Sequence, residues 1–194
     1  MIPCLYISKN QIELNLYFYH MNSKKTAEEI AQSNQGHRSE RSQNRLVVVL
    51  ENIRSGLNVG NIFRSSDAFG IEQIFCTGYT VTPPHREVLK SALGSTESVK
   101  WAHDPDPIGV VKNLQAQGFL CIAVEQTTQS ILFNEWNPTH DKIAVVFGNE
   151  VDGVTPEMIA TCDASIELPQ VGIKHSLNVS VCAGIVLYQI QMTQ

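Results

Sequence analysis

The sequence shows no long hydrophobic run and no signal-peptide pattern. No stretch approaches the roughly 18 consecutive apolar residues that a transmembrane helix needs. Polar or small residues interrupt the most apolar segment, at Asn178, Ser180, Gly184 and Gln189. Residues 1–21 contain no basic region leading into a compact apolar core, so they do not resemble a signal peptide. These absences predict an intracellular, cytoplasmic protein without membrane contact.

Motifs for metal binding and hydrolysis are also missing. The five cysteines are dispersed and show no CxxC spacing, which is typical of free thiols in a reducing compartment. The six histidines show neither an HExxH motif nor paired Cys/His spacing, so we expect no metal site. There is no GxSxG motif, and the neighbours His175 and Ser176 would diverge in a helix, which disfavours a hydrolase.

The length and composition are those of one sizeable folded domain, or of a domain with a short extension. The chain has 194 residues, of which 43% are hydrophobic and 17% charged, as in ordinary globular proteins. Residues 1–100 hold 11 Lys and Arg against 9 Asp and Glu, whereas residues 101–194 hold 3 against 10. A basic face for nucleic acid must therefore come from the first half. Ordinary solvated charges explain the composition equally well.

Two regions differ in pattern. Residues 1–44 include a polar run with little apolar periodicity, which predicts a partly mobile N-terminal arm containing a short helix. Residues 45–194 alternate β-branched runs with helix-length segments, which predicts an α/β domain with a mostly parallel sheet and helices on both faces. The predicted strands are Leu46–Leu50, Gln73–Thr77, Val99–Ala102, Leu120–Val124, Ile143–Phe147 and Ser165–Leu168. The predicted helices are Val59–Phe69, Arg86–Leu93, Pro107–Gln117, Pro156–Cys162 and Ser176–Gln191.

The first candidate site segment, residues 51–64, runs from a strand through a glycine-bearing loop into a helix. Ligands of open parallel sheets bind beyond the carboxyl ends of the strands. A helix beginning near Asn58 would direct Asn58 and Arg64 toward that edge and make a good phosphate site. A capping Asn58 and a surface Arg64 are the plainer interpretation. The segment has neither a GxGxxG fingerprint nor a P-loop, which disfavours a dinucleotide or nucleoside triphosphate.

The second segment, Phe147–Gly153, follows an apolar strand and precedes a helix that Thr155 and Pro156 open. Its glycines allow the backbone to approach a ligand closely, and Glu150 would lie at the sheet edge. A polar connection with turn glycines explains this segment about as well.

The third segment, Leu168–Val181, leaves a strand and enters the C-terminal helix. Ser176 can cap that helix, and we expect the helix to bury Leu177, Val181, Ile185 and Leu187. Asn178 and Ser180 are polar residues in an apolar helix, so they need hydrogen-bond partners.

Together, the three segments resemble the motifs of a known enzyme family. NVGNIFRSSDAFG, FGNEVDGVTPEMIATCD and IELPQVGIKHSLNVSVCAGIVLYQ are similar to the three motifs of the SpoU/TrmH branch of SPOUT-class RNA 2′-O-ribose methyltransferases. The resemblance runs from about Leu46 to Gln191. It implies an α/β fold with a C-terminal deep trefoil knot, S-adenosylmethionine as cofactor, and a homodimer with its site at the subunit interface.

The resemblance also implies the site residues. The cofactor-binding set is Gly148, Asn149, Leu168, Ser176 and Leu177. The catalytic set is Asn58, Arg64, Glu150, Ser176 and Asn178. RNA contacts are expected from Arg54, Arg64, Arg86 and Lys90.

Arg64 matches the catalytic arginine of the family. A guanidinium with a pKa above about 12 is a poor base at neutral pH. We therefore expect Arg64 to grip the phosphate next to the target ribose, while that phosphate or a water takes the hydroxyl proton. Asn58 and Glu150 would orient Arg64, and Asn178 would hold the loop or the ribose.

The preferred hypothesis is methyl transfer to a ribose 2′-hydroxyl of tRNA or, second, of rRNA. One alternative is a knotted RNA-binding module that has lost methyl transfer, although the complete catalytic set counts against it. Another is a doubly wound domain that binds NAD or FMN, which lacks a phosphate fingerprint here.

Overall fold

The computed structural model describes residues 24–39, 45–137 and 139–193. The chain divides into two compact units, residues 1–42 and 43–194. The first contains helix α1 (Ala27–Ser39), the short helix expected in the polar arm. Thr26 and Glu29 form a capping box at its start, with Glu29 N–H donating to Thr26 Oγ1 over 3.2 Å and Thr26 N–H donating to Glu29 Oε2 over 2.7 Å. The rest of the predicted arm, residues 1–23 and 40–44, lies outside the described residues.

The second unit is built on a seven-stranded sheet. Its strands are β1 (Arg45–Glu51), β2 (Gln73–Thr77), β3 (Lys100–Asp104), β4 (Leu120–Val124), β5 (Ile131–Leu132), β6 (Lys142–Phe147) and β7 (Ala164–Glu167). They hydrogen-bond in the order β3-β2-β1-β6-β4-β7-β5, and every pair is parallel. The predicted parallel sheet is confirmed. The sequence pattern does not predict β5, because two residues are too few to show a period.

The helices of this unit are α2 (Gly56–Phe69), α3 (Arg86–Ala92), α4 (Ser95–Ser98), α5 (Pro107–Ala116), α6 (Pro156–Thr161) and α7 (Val179–Thr193). The side chain of Thr155 accepts from Met158 N–H over 3.3 Å and Pro156 follows it, which starts α6 as predicted. Gly70 ends α2 at φ 62°, a left-handed conformation that glycine adopts without strain. Among the helices described, none is long and apolar enough to cross a membrane.

Helices cover both faces of the sheet, as predicted. On one face, Val48 and Leu50 of β1 join a core that includes side chains of α2, α3 and α7. On the other face, Val47 and Val49 pack with side chains of α5 and α6. Both faces are therefore buried, which explains why the strands show continuous apolar runs instead of alternation.

The prediction for the C-terminal helix is wrong at its start and for its buried face. The helix begins at Val179 and not at Ser176, because Asn178 Oδ1 accepts from the N–H groups of Ser180 (2.9 Å) and Val181 (3.4 Å) and so caps it. The residues buried on α7 are Ala183, Val186, Leu187 and Ile190. Of the four residues expected to be buried, only Leu187 is, since Leu177, Val181 and Ile185 are 42%, 51% and 44% exposed.

Candidate active site

A cavity of about 490 Å³ opens at the carboxyl ends of β4, β6 and β7. These strands are neighbours in the sheet, so the loops that follow them meet at one edge. Strand ends and loops within residues 124–126, 147–153 and 166–182 form its walls. All five predicted cofactor residues line it, namely Gly148, Asn149, Leu168, Ser176 and Leu177.

Gly148 allows the loop after β6 to fold back on itself. A Cβ at this position would lie 2.1 Å from Val154 N and 2.2 Å from the carbonyl carbon of Gly153, and such contacts with backbone atoms cannot be relieved by rotating a side chain. Asn149 and Gly153 exchange backbone hydrogen bonds of 2.9 and 3.0 Å. The backbone of this loop therefore forms one cavity wall directly.

Glu125 connects two walls of the cavity. Its Oε2 accepts from Val154 N–H over 2.9 Å, and its Oε1 accepts from Gln126 N–H over 2.9 Å. The next residue, Gln126, donates from Nε2 to the carbonyl oxygen of His175 over 2.8 Å. The loop after β4 is thus bonded to the loops after β6 and β7. This loop was not predicted as part of the site, although Glu125 and Gln126 directly follow a correctly predicted strand.

The charged lining of the cavity is acidic. Four carboxylates line it, those of Glu125, Glu150, Asp152 and Glu167, and none of the described Lys and Arg residues does. Such a lining favours a ligand with positive charge. In the described part of the chain, no group of three His, Cys, Asp or Glu side chains could hold a metal ion.

Three predicted catalytic residues form one hydrogen-bonded network beside the cavity. Asn58 Nδ2 donates to Glu150 Oε1 over 2.9 Å, and Asn178 Nδ2 donates to Asn58 Oδ1 over 3.1 Å. Asn178 Oδ1 also accepts from the Ser180 hydroxyl over 2.7 Å. Residues 120 positions apart in the chain therefore meet, and the partners required by Asn178 and Ser180 are present.

Glu150 holds the loop between β1 and α2. Its carboxylate accepts from the N–H groups of Arg54 (3.1 Å) and Ser55 (3.0 Å) as well as from Asn58. Burial disfavours the charged form, but these hydrogen bonds outweigh it and lower the pKa of Glu150. Glu150 is therefore an ionised carboxylate that fixes a loop.

Arg64 lies apart from this network. Its exposed side chain borders a shallow groove formed with Asp67, Ser98 and residues 92–95. No hydrogen bond joins it to Asn58 or Glu150, so the expected orienting contacts are not present within the described chain. The physical reason is that α2 begins at Gly56, where Ser55 and not Asn58 accepts the capping bond. Asn58 and Arg64 therefore both lie within the helix, and a separation of six residues directs their side chains about 120° apart around its axis.

The other predicted RNA-binding cations are also exposed. Arg86 and Lys90 lie on α3. The Arg54 guanidinium lies 5.5 Å from the ring centroid of Tyr79 and 3.5 Å from its hydroxyl. The hydrogen bond to Tyr79 raises the pKa of Arg54, with smaller contributions from Asp152 and Glu150. By contrast, Arg45 is held by Glu72 through an ion pair, with Nε donating over 2.6 Å.

The four described cysteines are free. Burial raises the pKa of the Cys76, Cys121 and Cys162 thiols to about 12, and that of Cys182 to about 11. All four are therefore protonated and unreactive near neutral pH.

A parallel sheet with a cavity and an asparagine–carboxylate network at its carboxyl edge is the arrangement of α/β proteins that bind ligands at the ends of their strands. The model of the SpoU rRNA Methylase family matches residues 45–188, and the chain belongs to this family. The resemblance drawn from the three motifs is confirmed.

Named relatives show the chemistry found within this family. The tRNA (guanosine(18)-2′-O)-methyltransferase of Aquifex aeolicus is 32% identical over 158 residues, which cover 78% of this chain and 71% of that protein. A 23S rRNA (guanosine-2′-O-)-methyltransferase of Neisseria meningitidis is 30% identical over 142 residues, covering 73% of this chain and 56% of that protein. This chain therefore spans only part of the length of these relatives.

A solved structure shows the same fold with a cofactor. The crystal structure of an AdoMet-bound rRNA methyltransferase from Sinorhizobium meliloti superposes with a TM-score of 0.72 and 25% sequence identity. The match covers 80% of this chain and 59% of that chain.

Proposed function

We propose that this protein transfers a methyl group from S-adenosylmethionine to a ribose 2′-hydroxyl of RNA, with tRNA favoured over rRNA. The observation that carries the proposal is the cavity at the sheet edge beside the Asn58–Glu150–Asn178 network, in a chain of the SpoU family. Relatives acting on tRNA and on rRNA support RNA as the substrate class.

The lining of the cavity suits this cofactor. Gly148 lets the loop after β6 turn tightly enough for its backbone to form one wall, and the carboxylates of Glu125 and Glu167 favour a cation. Gly148, Asn149, Leu168, Ser176 and Leu177 would hold the molecule. When bound, S-adenosylmethionine supplies an electrophilic methyl group on a sulfonium that leaves as a neutral thioether.

Because that leaving group needs little assistance, the protein mainly has to position the ribose and remove the hydroxyl proton. Arg64 binds the phosphate next to the target ribose through its two-pronged guanidinium. That phosphate or a water takes the proton, since Arg64 stays charged. Exposed Arg54, Arg86 and Lys90 bind further phosphates.

Asn58, Glu150 and Asn178 act by holding the site in shape. Glu150 fixes the loop before α2. Asn58 is hydrogen-bonded both to Glu150 and to Asn178 at the start of α7, so it holds the two segments together. Ser176, two residues before Asn178, lines the cavity, where it would contact the bound cofactor.

The proposal includes a homodimer with the site at its interface. Arg64 does not line the cavity of its own chain, and an apolar stripe on α7 is exposed at Val181, Ile185, Tyr188 and Met192. Burying this stripe against a second copy would account for it. A cytoplasmic location is consistent with an RNA substrate and free thiols.

The proposal also includes the trefoil knot of the family. Gln126 donates to the carbonyl oxygen of His175, and Asn178 donates to Asn58. These bonds join the segment between β7 and α7 to the loop after β4 and to the first turn of α2. Such contacts support a C-terminal segment that passes between them before α7 packs on α2.

Transfer of a labelled methyl group to bulk tRNA and rRNA, followed by digestion to nucleosides, tests the activity. We expect label in a 2′-O-methylated nucleoside, mainly from tRNA. Asn58→Ala should reduce transfer strongly, whereas Asn61→Ala, an exposed change one turn along the same helix, should not. Label on a base, or none in RNA, contradicts the proposal.

A further inference from the structure

Tyr79 is an exposed aromatic side chain with a fixed position. Its side chain is 54% exposed, yet its N–H donates to Asn52 Oδ1 over 3.2 Å and its hydroxyl accepts from Asn149 Nδ2 over 3.1 Å. The preceding Gly78 is at φ 62°, and a Cβ there would lie 2.0 Å from Asn52 Oδ1. These contacts therefore fix the conformation of the turn that carries the ring.

The Tyr79 hydroxyl is bonded to a residue of the cavity wall. Asn149, which donates to the Tyr79 hydroxyl, is itself a cavity wall residue and only 6% exposed. Its Nδ2 also donates to the carbonyl oxygen of Asn52 over 2.8 Å. Tyr79 is thus one hydrogen bond away from the wall of the proposed methyl-donor site.

The positively charged side chain of Arg54 lies beside the Tyr79 ring. The Arg54 guanidinium lies 5.5 Å from the ring centroid, a distance at which a cation and an aromatic face attract each other. An exposed aromatic face beside an exposed arginine combines the two groups that bind single-stranded RNA, a stacking surface and a phosphate contact.

We propose that the Tyr79 ring stacks on a base at the RNA target site, while Arg54 contacts the adjoining phosphate. This inference rests on the proposed function and adds a residue that positions the substrate. Bases in loops and other unpaired regions present their faces to aromatic side chains. Stacking tolerates any base, so Tyr79 orients the nucleotide without itself selecting its identity.

Three variants test the role of the ring. Tyr79→Leu removes the aromatic face, Tyr79→Phe keeps it but loses the hydroxyl, and Ile131→Ala changes an exposed residue on β5 at the distant edge of the sheet. For each protein, we would measure the Kd for bulk tRNA, the Kd for S-adenosylmethionine by calorimetry, the KM and kcat of transfer, and the solution mass.

Tyr79→Leu should weaken tRNA binding and raise the RNA KM by about 5- to 150-fold, the range expected for losing one stacked base. Its affinity for S-adenosylmethionine should not change. Tyr79→Phe and Ile131→Ala should bind tRNA like the unmodified protein. A KM effect in Tyr79→Leu but not in Tyr79→Phe indicates stacking, because support of Asn149 would depend on the Tyr79 hydroxyl, which both variants lack.

Three results would overturn the inference. If Tyr79→Leu binds tRNA normally, no base stacks there. If Tyr79→Phe and Tyr79→Leu lose cofactor affinity equally, the residue only supports Asn149. If Tyr79→Leu changes the solution mass, the ring is buried against a second copy. Should the unmodified protein bind tRNA without methylating it, the proposed function fails, while weaker binding by Tyr79→Leu still supports stacking.

Discussion

At the scale of single residues, Glu150 joins the loop after β6 to the start of α2. Its carboxylate accepts from two backbone N–H groups and from Asn58. A neutral amide at this position would present N–H groups to some of those donors. The charge of Glu150 thus stabilises the loop from which α2 begins.

Glu150→Gln should lower the free energy of unfolding by about 1 kcal/mol at pH 7, the scale of exposed charged hydrogen bonds. The pKa of Glu150 is lowered in the folded protein, so its contribution is complete above the unfolded pKa. It is lost as pH falls through the folded pKa. Urea unfolding should therefore show a constant difference between variant and unmodified protein above about pH 5.5, shrinking below about pH 4.5. Glu135→Gln, at another exposed carboxylate, serves as control, and a difference that grows in acid would refute this assignment.

Arg64→Lys separates a phosphate clamp from a simple positive charge. Lysine keeps the charge but cannot form the two parallel hydrogen bonds of a guanidinium. We expect kcat/KM for RNA methylation to fall at least about tenfold, with unchanged binding of S-adenosylmethionine. Near-normal turnover by the lysine variant would exclude the clamp.

At the scale of elements, α2 and α3 pack closely because residue 60 is glycine. A Cβ at Gly60 would lie 2.4 Å from the carbonyl oxygen of Val88, 2.1 Å from Ser91 Oγ and 2.9 Å from Ala92 N. Gly184, in α7, has no neighbour closer to an added Cβ than Ser65 Oγ at 3.7 Å. The two positions offer a matched comparison between helical glycines.

Gly60→Ala should destabilise the protein by about 1–3 kcal/mol through overpacking. Gly184→Ala should be neutral or stabilising by up to about 1 kcal/mol, because alanine favours helix. Denaturant midpoints at constant m-value would measure both. Equal effects of the two substitutions would contradict the close α2–α3 contact.

The elements were largely predictable from sequence because buried parallel strands are short, apolar and β-branched. The predicted bounds of β2 and β4 match the structure, and the observed β1 is one residue longer at each end than predicted. The short elements α4 and β5 carry no periodic signal. The start of α7 was misplaced because apolar Leu177 extends the helical pattern past Asn178, the residue that caps it.

The candidate site was predictable in part. The loops after β1, β6 and β7 meet as the rule for parallel sheets requires, and they bring Asn58, Glu150 and Asn178 together. Glu125 and Gln126 were missed because the loop after β4 has no glycine or recognised motif. The separation of Arg64 from the network depends on where α2 begins, and Ser55 rather than Asn58 determines that point.

At the scale of the whole molecule, α7 has two apolar faces. One packs in the core through Ala183, Val186, Leu187 and Ile190, and the other is exposed at Val181, Ile185, Tyr188 and Met192. A helix that is apolar all round is normally buried on all sides. The exposed face is accordingly the proposed dimer surface.

Ile185→Asp places a charge in the middle of that face and should disrupt the dimer, because an unpaired charge is costly to bury. Light scattering should show twice the 21.5 kDa chain mass for the unmodified protein and the single mass for the variant. Ile131→Asp, a change on β5, should leave the mass unchanged. A monomeric unmodified protein would rule out the dimer.

The acidic second half of the chain is partly explained by the cavity. Glu125, Glu150, Asp152 and Glu167 all come from residues 101–194 and all line it. Part of that negative charge therefore lies around the proposed cofactor site, while RNA contacts are proposed for cations of the first half. This arrangement keeps the two opposite electrostatic requirements on different surfaces.

Calorimetric titration with S-adenosylmethionine tests the central claim most directly, using the unmodified protein, Gly148→Ala and Gly172→Ala. An added Cβ at Gly148 would lie against backbone of the cavity wall, whereas at Gly172 it would meet nothing within 4 Å. The account predicts one site per chain in the unmodified protein and in Gly172→Ala, and binding at least about tenfold weaker in folded Gly148→Ala. No binding to the unmodified protein, or equal binding by all three, would contradict it, and the absence of binding would favour an RNA-binding module without methyl transfer.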